Sequence, residues 1–236
     1  ELFHGPTAAF KDVGARFLSY ALSLLNKDAA QPITILVASS GDTGAAVAAA
    51  FHEKPNVEVV VCYPKGRGSA RQEKQLTGWD KHVRTLAVHG DFDDCQRLVK
   101  GAFQDEALST EKRLSSANSI NVGRLLPQLT YYAAASRWYV REHNVSPGFI
   151  VPSGNLGNAV AALYARAMGS PMRPVVMATN ENRPVVDFLA TGSWEPKPTQ
   201  ETLATAMDVG DPSNMERLRH HWPTIEGVRG QVEAER

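Results

Sequence analysis

The sequence predicts an α/β fold with mainly parallel sheets, on three observations. Residues 33–38 and 57–63 are nearly continuous apolar, β-branched runs, the composition of strands covered on both faces. A Ser/Gly/Asp/Thr turn and an Ala-rich stretch through Phe51 join them, which reads as a βαβ unit. The same cycle of strand, turn and helix returns after Gly148. At 236 residues and 43% hydrophobic content, the chain buries a substantial core as one large domain or two small ones.

Val13, Phe17, Ala21, Leu24 and Leu25 recur at a helical period, so a first helix is expected to begin at Lys11. The strand at 33–38, a helix through Phe51 and the strand at 57–63, closed by Pro64-Lys65-Gly66, come next. A helix is expected over 69–76, a short strand over 83–88, a helix over 91–108 begun by Asp91, Asp93 and Asp94, and a long helix over 120–141. Val145-Ser146-Pro147-Gly148 reads as a hinge, which divides the chain into domains 1–143 and 144–236. Beyond it lie a strand at 149–152, a helix at 158–168 closed by Gly169, and a strand at 174–178. Residues 191–212 read as loop, and His220-His221 as solvent-facing residues of a basic helix. Glu1 stands where an initiator Met would, and residues 231–236 offer no convincing terminating element, so the chain reads as a fragment of a longer protein.

Lys plus Arg equals Asp plus Glu at 25 each, so no global field selects nucleic acid or an anionic membrane. An anion must be held by local geometry, and the expected partners are small molecules. No apolar run approaches the roughly 20 residues that span a bilayer, and no signal pattern opens the chain, so the cytoplasm is the expected location. Cys62 and Cys95, with no CxxC pair and no His cluster, read as free thiols in a reducing compartment. No residues stand at metal-ligand spacing. The four tryptophans, Trp79, Trp138, Trp194 and Trp222, read as packing residues.

The chemistry starts at Lys11. Glycine and proline fix the turn before it, Phe10 precedes it, and His4 is read as orienting the turn. An amine among apolar and aromatic neighbours loses hydration, which lowers its pKa and frees the neutral form to attack an aldehyde. Two more turns, residues 39–44 and 153–158, each fall between a strand and a helix, where backbone N–H groups and the helix dipole converge on an anion. A lysine and two anion cradles suit a cofactor with an aldehyde and a phosphate, and an amino-acid substrate that brings its own carboxylate. Arg124 offers a planar fork of donors for a further phosphate, with Asn118 and Ser119 as neutral donors and Asn121 on its own helix face. Taken singly, these are a solvated lysine, two tight turns and a surface arginine.

Together, His4-Gly5-Pro6-Thr7-Ala8-Ala9-Phe10-Lys11-Asp12, Ser39-Ser40-Gly41-Asp42-Thr43-Gly44, Asn118-Ser119-Ile120-Asn121-Val122-Gly123-Arg124 and Ser153-Gly154-Asn155-Leu156-Gly157-Asn158 resemble the threonine synthases, in that family's order. Residues 193–200 and Ala206-Met207-Asp208-Val209 extend the likeness over nearly the whole chain. The resemblance implies two three-layer αβα domains of the fold type II, tryptophan synthase β-like class. It implies pyridoxal 5'-phosphate as cofactor, bound by Phe10, Lys11, Asp42, Ser153, Gly154, Asn155, Leu156, Gly157 and Asn158, with Lys11 catalytic. Gly154 and Gly157 would allow close backbone approach and Asn155 would add a side-chain donor. The substrate would be received by Ser39, Ser40, Gly41, Thr43, Asn118, Ser119 and Arg124, and no metal is implied. Many relatives of the wider fold carry Asn where this chain has Asp42. The implied reaction is a carbon–oxygen lyase reaction on a phosphate ester, from O-phospho-L-homoserine and water to L-threonine and phosphate. Monomer and dimer both stay open, and no segment after Ser193 clearly supplies a partner for the cofactor's pyridine nitrogen.

Two other readings remain. A serine or threonine dehydratase, or a relative degrading phosphohomoserine to 2-oxobutyrate, would keep Lys11 and the Gly154 turn without needing Arg124. A non-catalytic phosphate-ligand module or a nucleotide-binding Rossmann domain is disfavoured, because no G-x-G-x-x-G follows the first strand.

Overall fold

The computed structural model describes residues 1–39 and 41–235, so Ser40, an expected substrate contact, lies outside the described residues, as does Arg236. The chain divides into two units, Glu1–Arg124 and Leu125–Arg236. The first runs α1 (Lys11–Leu25), β1 (Ile33–Ala38), α2 (Asp42–Phe51), β2 (Val57–Pro64), α3 (Ala70–Thr77), β3 (Val83–Val88), α4 (Phe92–Gln104), α5 (Glu106–Glu111) and β4 (Leu114–Ser116), and α6 (Val122–His143) carries on into the second.

Four parallel strands in the order β3-β2-β1-β4 make the first sheet, with Ile33 opposite Val57, Val59 opposite Val83 and Thr34 opposite Leu114. Strand alternation distributes β1 between two apolar layers. Ile35 and Val37 join the core with Ala15, Leu18, Val47 and Phe51, while Leu36 and Ala38 join Cys62, Cys95 and Val99. This places α1 and α2 on one face and α4 on the other, a three-layer sandwich. The chain leaves β1 toward β2 on one side and returns as β4 on the other, so β1 and β4 flank a topological switch point. Ligands of parallel α/β sheets collect at the carboxyl ends of such strands.

Two expectations change in this unit, and one helix face is a new finding. The helix expected over 91–108 is two helices, because Asp105 Oδ1 accepts from Leu108 N at 3.0 Å and caps a new start. β4 was not anticipated; it has three residues and two are serine. The apolar stripe of α1 faces outward, with Val13, Phe17, Leu24 and Leu25 exposed, whereas the buried face is Asp12, Gly14, Ala15, Leu18 and Ser19.

The second unit continues with β5 (Phe149–Pro152), α7 (Gly157–Ala167), β6 (Val175–Ala178), α8 (Pro184–Thr191), a 3₁₀ turn (Thr205–Met207), α9 (Met215–His221), α10 (Ile225–Arg229) and β7 (Val232–Glu235). Its parallel sheet has the order β5-β6-β7, and Leu163, Met177, Met215 and Leu218 are buried in its core. Residues 232–235 therefore pair as a strand, where no terminating element was expected. The unit boundary falls inside α6 and not at residue 143, because Leu125 and Tyr132 are buried in the second core. Trp194 and Trp222 pack against that core, but Trp138 on α6 is exposed. No helix among the described residues is long and apolar enough to cross a membrane.

Candidate active site

In the first unit the lysine turn is built around a buried carboxylate. Asp12, 3% exposed, accepts from Thr7 N at 3.0 Å and Thr7 Oγ1 at 2.7 Å. A Cβ on Gly5 would lie 2.2 Å from Asp12 Oδ2, so the turn closes only with glycine there. Lys11 follows at the first residue of α1 with its side chain 12% exposed, its Nζ 5.2 Å from the Phe10 ring centroid and 3.4 Å from Asp42 Oδ2. Burial pulls the Lys11 amine below the usual lysine value, Asp42 opposes this, and the positive charge of Arg124 adds to it. The amine is thus a desolvated base beside one carboxylate. His4 does not orient the turn: its exposed ring meets Glu1 at 3.0 Å, and only its carbonyl receives Arg16.

Asp42 opens α2 at the carboxyl end of β1. Ser39 Oγ accepts from Gly41 N at 3.0 Å and Gly44 N at 2.7 Å and donates to Gly41 O, so this buried hydroxyl braces the turn. Gly41 has φ +155°, a conformation that only glycine adopts readily. Thr43 is half-buried in the first turn of α2. Asp42 Oδ1 accepts from Gln72 Nε2 at 3.2 Å, and Gln72 Oε1 accepts from Ser69 N at 3.1 Å as half of the α3 capping box. Gln72 was not singled out from the sequence, although Ser69-x-x-Gln72 carries the capping signal.

The loop after β4 uses its polar residues to finish the sheet. Asn118 donates through Nδ2 to Ala38 O at 2.8 Å and accepts from Ala38 N at 3.2 Å, imitating a strand partner at the switch point. One N–H and the oxygen of its amide thus serve the fold. Asn121 Oδ1 accepts from Gly123 N and caps α6; Ser119 is half-buried in the same loop. Arg124 is 3% exposed and donates through Nη1 to Ala117 O, so it is not the surface arginine that it reads as when taken singly. Burial lowers its pKa to about 10 against the opposing pull of Asp12. Lys11, Asp42, Gln72 and Arg124 are therefore neighbours in one unit.

In the second unit, residues 153–156 link β5 to α7. Leu156 takes a left-handed conformation, φ +62°, with its side chain in the core, and so contributes main chain to the turn. The first amides of α7 lack acceptors within the helix and point at the turn. Ser153 Oγ donates to Val151 O at 2.8 Å. Asn155 Oδ1 accepts from Ser213 N and Oγ, both at 2.9 Å, which leaves its NH2 as the donor end. Gly154 is needed by protein packing: a Cβ there would lie 2.8 Å from Met207 Cα. Gly157 is buried at the start of α7. The Asn158 side chain turns to α6, accepting from Tyr132 at 2.5 Å and donating to Gln128 and Tyr131, so only its main chain belongs to the turn. His220 and His221 lie on α9, and no group of metal-binding residues occurs among the described residues.

A family model described as "Pyridoxal-phosphate dependent enzyme" matches residues 1–233. The chain is 49% identical over 226 residues to the threonine synthase of Escherichia coli strain K12, covering 96% of the chain and 51% of that relative. Among solved structures, threonine synthase from Escherichia coli superposes with a TM-score of 0.89 at 46% identity, over 99% of this chain and 55% of that one. The pyridoxal-phosphate-bound threonine synthase from Brucella melitensis gives 0.89 at 33% identity, over 100% and 56%. The chain spans about half the length of the curated relatives it matches.

Proposed function

The chain belongs to the pyridoxal-phosphate dependent enzyme family, and we propose that it carries the reacting lysine and the cofactor-phosphate turn of a threonine synthase, which converts O-phospho-L-homoserine and water to L-threonine and phosphate. The residues fit the cofactor: a buried amine of lowered pKa suits an aldehyde, and the α7 N-terminus, with Gly154 and the Asn155 NH2, suits a phosphate. When bound, pyridoxal phosphate supplies an electron sink for charge developed at the substrate carbons.

The chain's own residues do the rest. Lys11 holds the cofactor and, as a neutral amine, accepts the proton from the substrate Cα. Asp42 faces that amine and takes part in cofactor binding. Arg124 supplies the positive charge for the substrate phosphate: a desolvated cation of lowered pKa gains most from an approaching anion. Gly41 and Thr43 receive the substrate through main chain at the α2 N-terminus, and Ser119 on the loop after β4 adds a neutral donor. The two free, buried cysteines support a reducing, cytoplasmic setting.

The observation that carries this reading is the Lys11–Asp42 pair at the carboxyl end of β1, with Arg124 beside it. A product assay on the protein carrying this chain tests it. Phosphohomoserine should yield threonine and phosphate in equal amounts; release of 2-oxobutyrate would assign a lyase relative, and no turnover would assign a binding role.

A further inference from the structure

Lys11 Nζ and Asp42 Oδ2 stand 3.4 Å apart, whereas a charge-assisted N–H···O bond closes to about 2.7–2.9 Å. Something keeps the carboxylate back. Its other oxygen, Oδ1, is held by Gln72 Nε2 at 3.2 Å, and Gln72 is fixed at its far end, where Oε1 accepts from Ser69 N and Ser69 Oγ, both at 3.1 Å. A Cβ on Gly41 would lie 3.0 Å from Gln72 Nε2, so the turn that carries Asp42 also packs directly on this amide. The first turn of α3 is therefore wired through one side chain to the carboxylate that faces the lysine.

We propose that Gln72 is a positioning residue that holds Asp42 at arm's length from Lys11, keeping the pair short of a closed salt bridge. This rests on the reading of Lys11 as the reacting amine. Two charged groups face that amine in its unit, Asp42 from α2 and Arg124 from α6. Arg124 is fixed by burial and by Ala117 O, so the Asp42 distance is the adjustable quantity. With Gln72 gone, Asp42 turns fully onto Nζ, the ammonium is stabilised, and less neutral amine is present near neutral pH. A capping glutamine that faces a carboxylate thereby controls the charge of a lysine on another helix.

The test is the pH dependence of Lys11 acetylation by acetic anhydride, read at the Lys11 peptide by mass spectrometry with the exposed lysines as internal standards. It is run on the protein carrying this chain. Gln72→Met should move the Lys11 titration up by about one pH unit, a tenfold loss of reactivity below the midpoint. Gln72→Glu keeps the cap, since glutamate caps equally well there, but offers Asp42 no donor and adds a negative charge; it should move the titration at least as far. Ser69→Ala removes the hydroxyl but leaves Ser69 N on Gln72 Oε1 and the Gln72 donor on Asp42, and should leave the titration in place; a shift as large as that of Gln72→Met would overturn the proposal. In an Asp42→Asn background Gln72→Met should have no further effect. A titration that stays put or moves down in Gln72→Met and Gln72→Glu overturns the proposal, as does an equal shift with and without Asp42. The underlying reading is judged separately, by whether pyridoxal phosphate protects Lys11 from the reagent.

Discussion

Gly154→Ala tests how the second anion turn is built. The added Cβ would stand 2.8 Å from Met207 Cα and 3.0 Å from Met207 O. Carbon contacts settle at about 3.5 Å or more, so the two segments must part by roughly 0.7 Å. They are poorly placed to do so, because the obstacle is main chain and Asp208 ties its segment down. Asp208 accepts from Thr202 N at 2.9 Å, Thr202 Oγ1 at 2.6 Å and Asn180 Nδ2 at 2.7 Å. The strain should therefore reach the upper end of the overpacking range, about 3 kcal/mol. With a urea m-value of about 2 kcal/mol/M, the unfolding midpoint falls by about 1.5 M, and cofactor affinity falls with it. Met207→Ala in the same chain should restore nothing, since the colliding atoms are Cα and the carbonyl. A wild-type midpoint in Gly154→Ala, or rescue by trimming Met207, would refute the argument.

Asn118→Ala should cost about 1–3 kcal/mol in urea unfolding, because it strands the N–H and C=O of Ala38 at the sheet's switch point; a neutral result would contradict the strand-imitating role. Arg124→Ala should lower kcat/KM for phosphohomoserine by about 2–5 kcal/mol in transition-state stabilisation while cofactor absorbance persists, and a wild-type kcat/KM would remove Arg124 from phosphate binding. Burial pushes Cys95 up to about 12 and Cys62 above its ordinary value, so neither should react with a thiol reagent at pH 8 until the chain unfolds. Above pH 9 the unfolded thiol loses its proton while the folded one keeps it, so stability should fall as pH rises from 9 toward 12; a flat profile there would argue against Cys95 burial.

Residues 33–38, 83–88 and 149–152 read as strands from the sequence and coincide with β1, β3 and β5, although only β1 is covered on both faces, while β3 and β5 are edge strands that leave Leu86 and Ile150 exposed. The β1 residues are apolar on both sides because two layers cover them. β4 was illegible because its place in the sheet is owed partly to Asn118, a side chain acting as backbone. β7 sits at the sheet edge in a charged tail, where hydrophobic pattern carries no signal. The α1 stripe gave the helix and its start, but not its buried face. Its period was helical, but α1 packs through Ala15, Leu18 and small or polar neighbours, and periodicity gives the helix without saying which face is buried. Lys11, Asp42 and Arg124 were singled out from the sequence, and the first unit brings them together. The part that Ser39, Asn118 and Asn158 play in the fold was not legible, because an amide or hydroxyl in a glycine-rich loop has the same signature whether it faces a ligand or its own backbone. Gln72 was hidden because its capping motif explained it before its second contact was known.

The central claim is that Lys11 is the amine that takes the cofactor. Loading the protein carrying this chain with pyridoxal phosphate, reducing it with borohydride and mapping the tryptic peptides tests it most directly. The pyridoxyl group should be found on Lys11 and vanish in Lys11→Ala, with the absorbance of the loaded protein near 410–420 nm lost in the same variant. Label on Lys65, Lys74 or another lysine, or absorbance that survives Lys11→Ala, would contradict it.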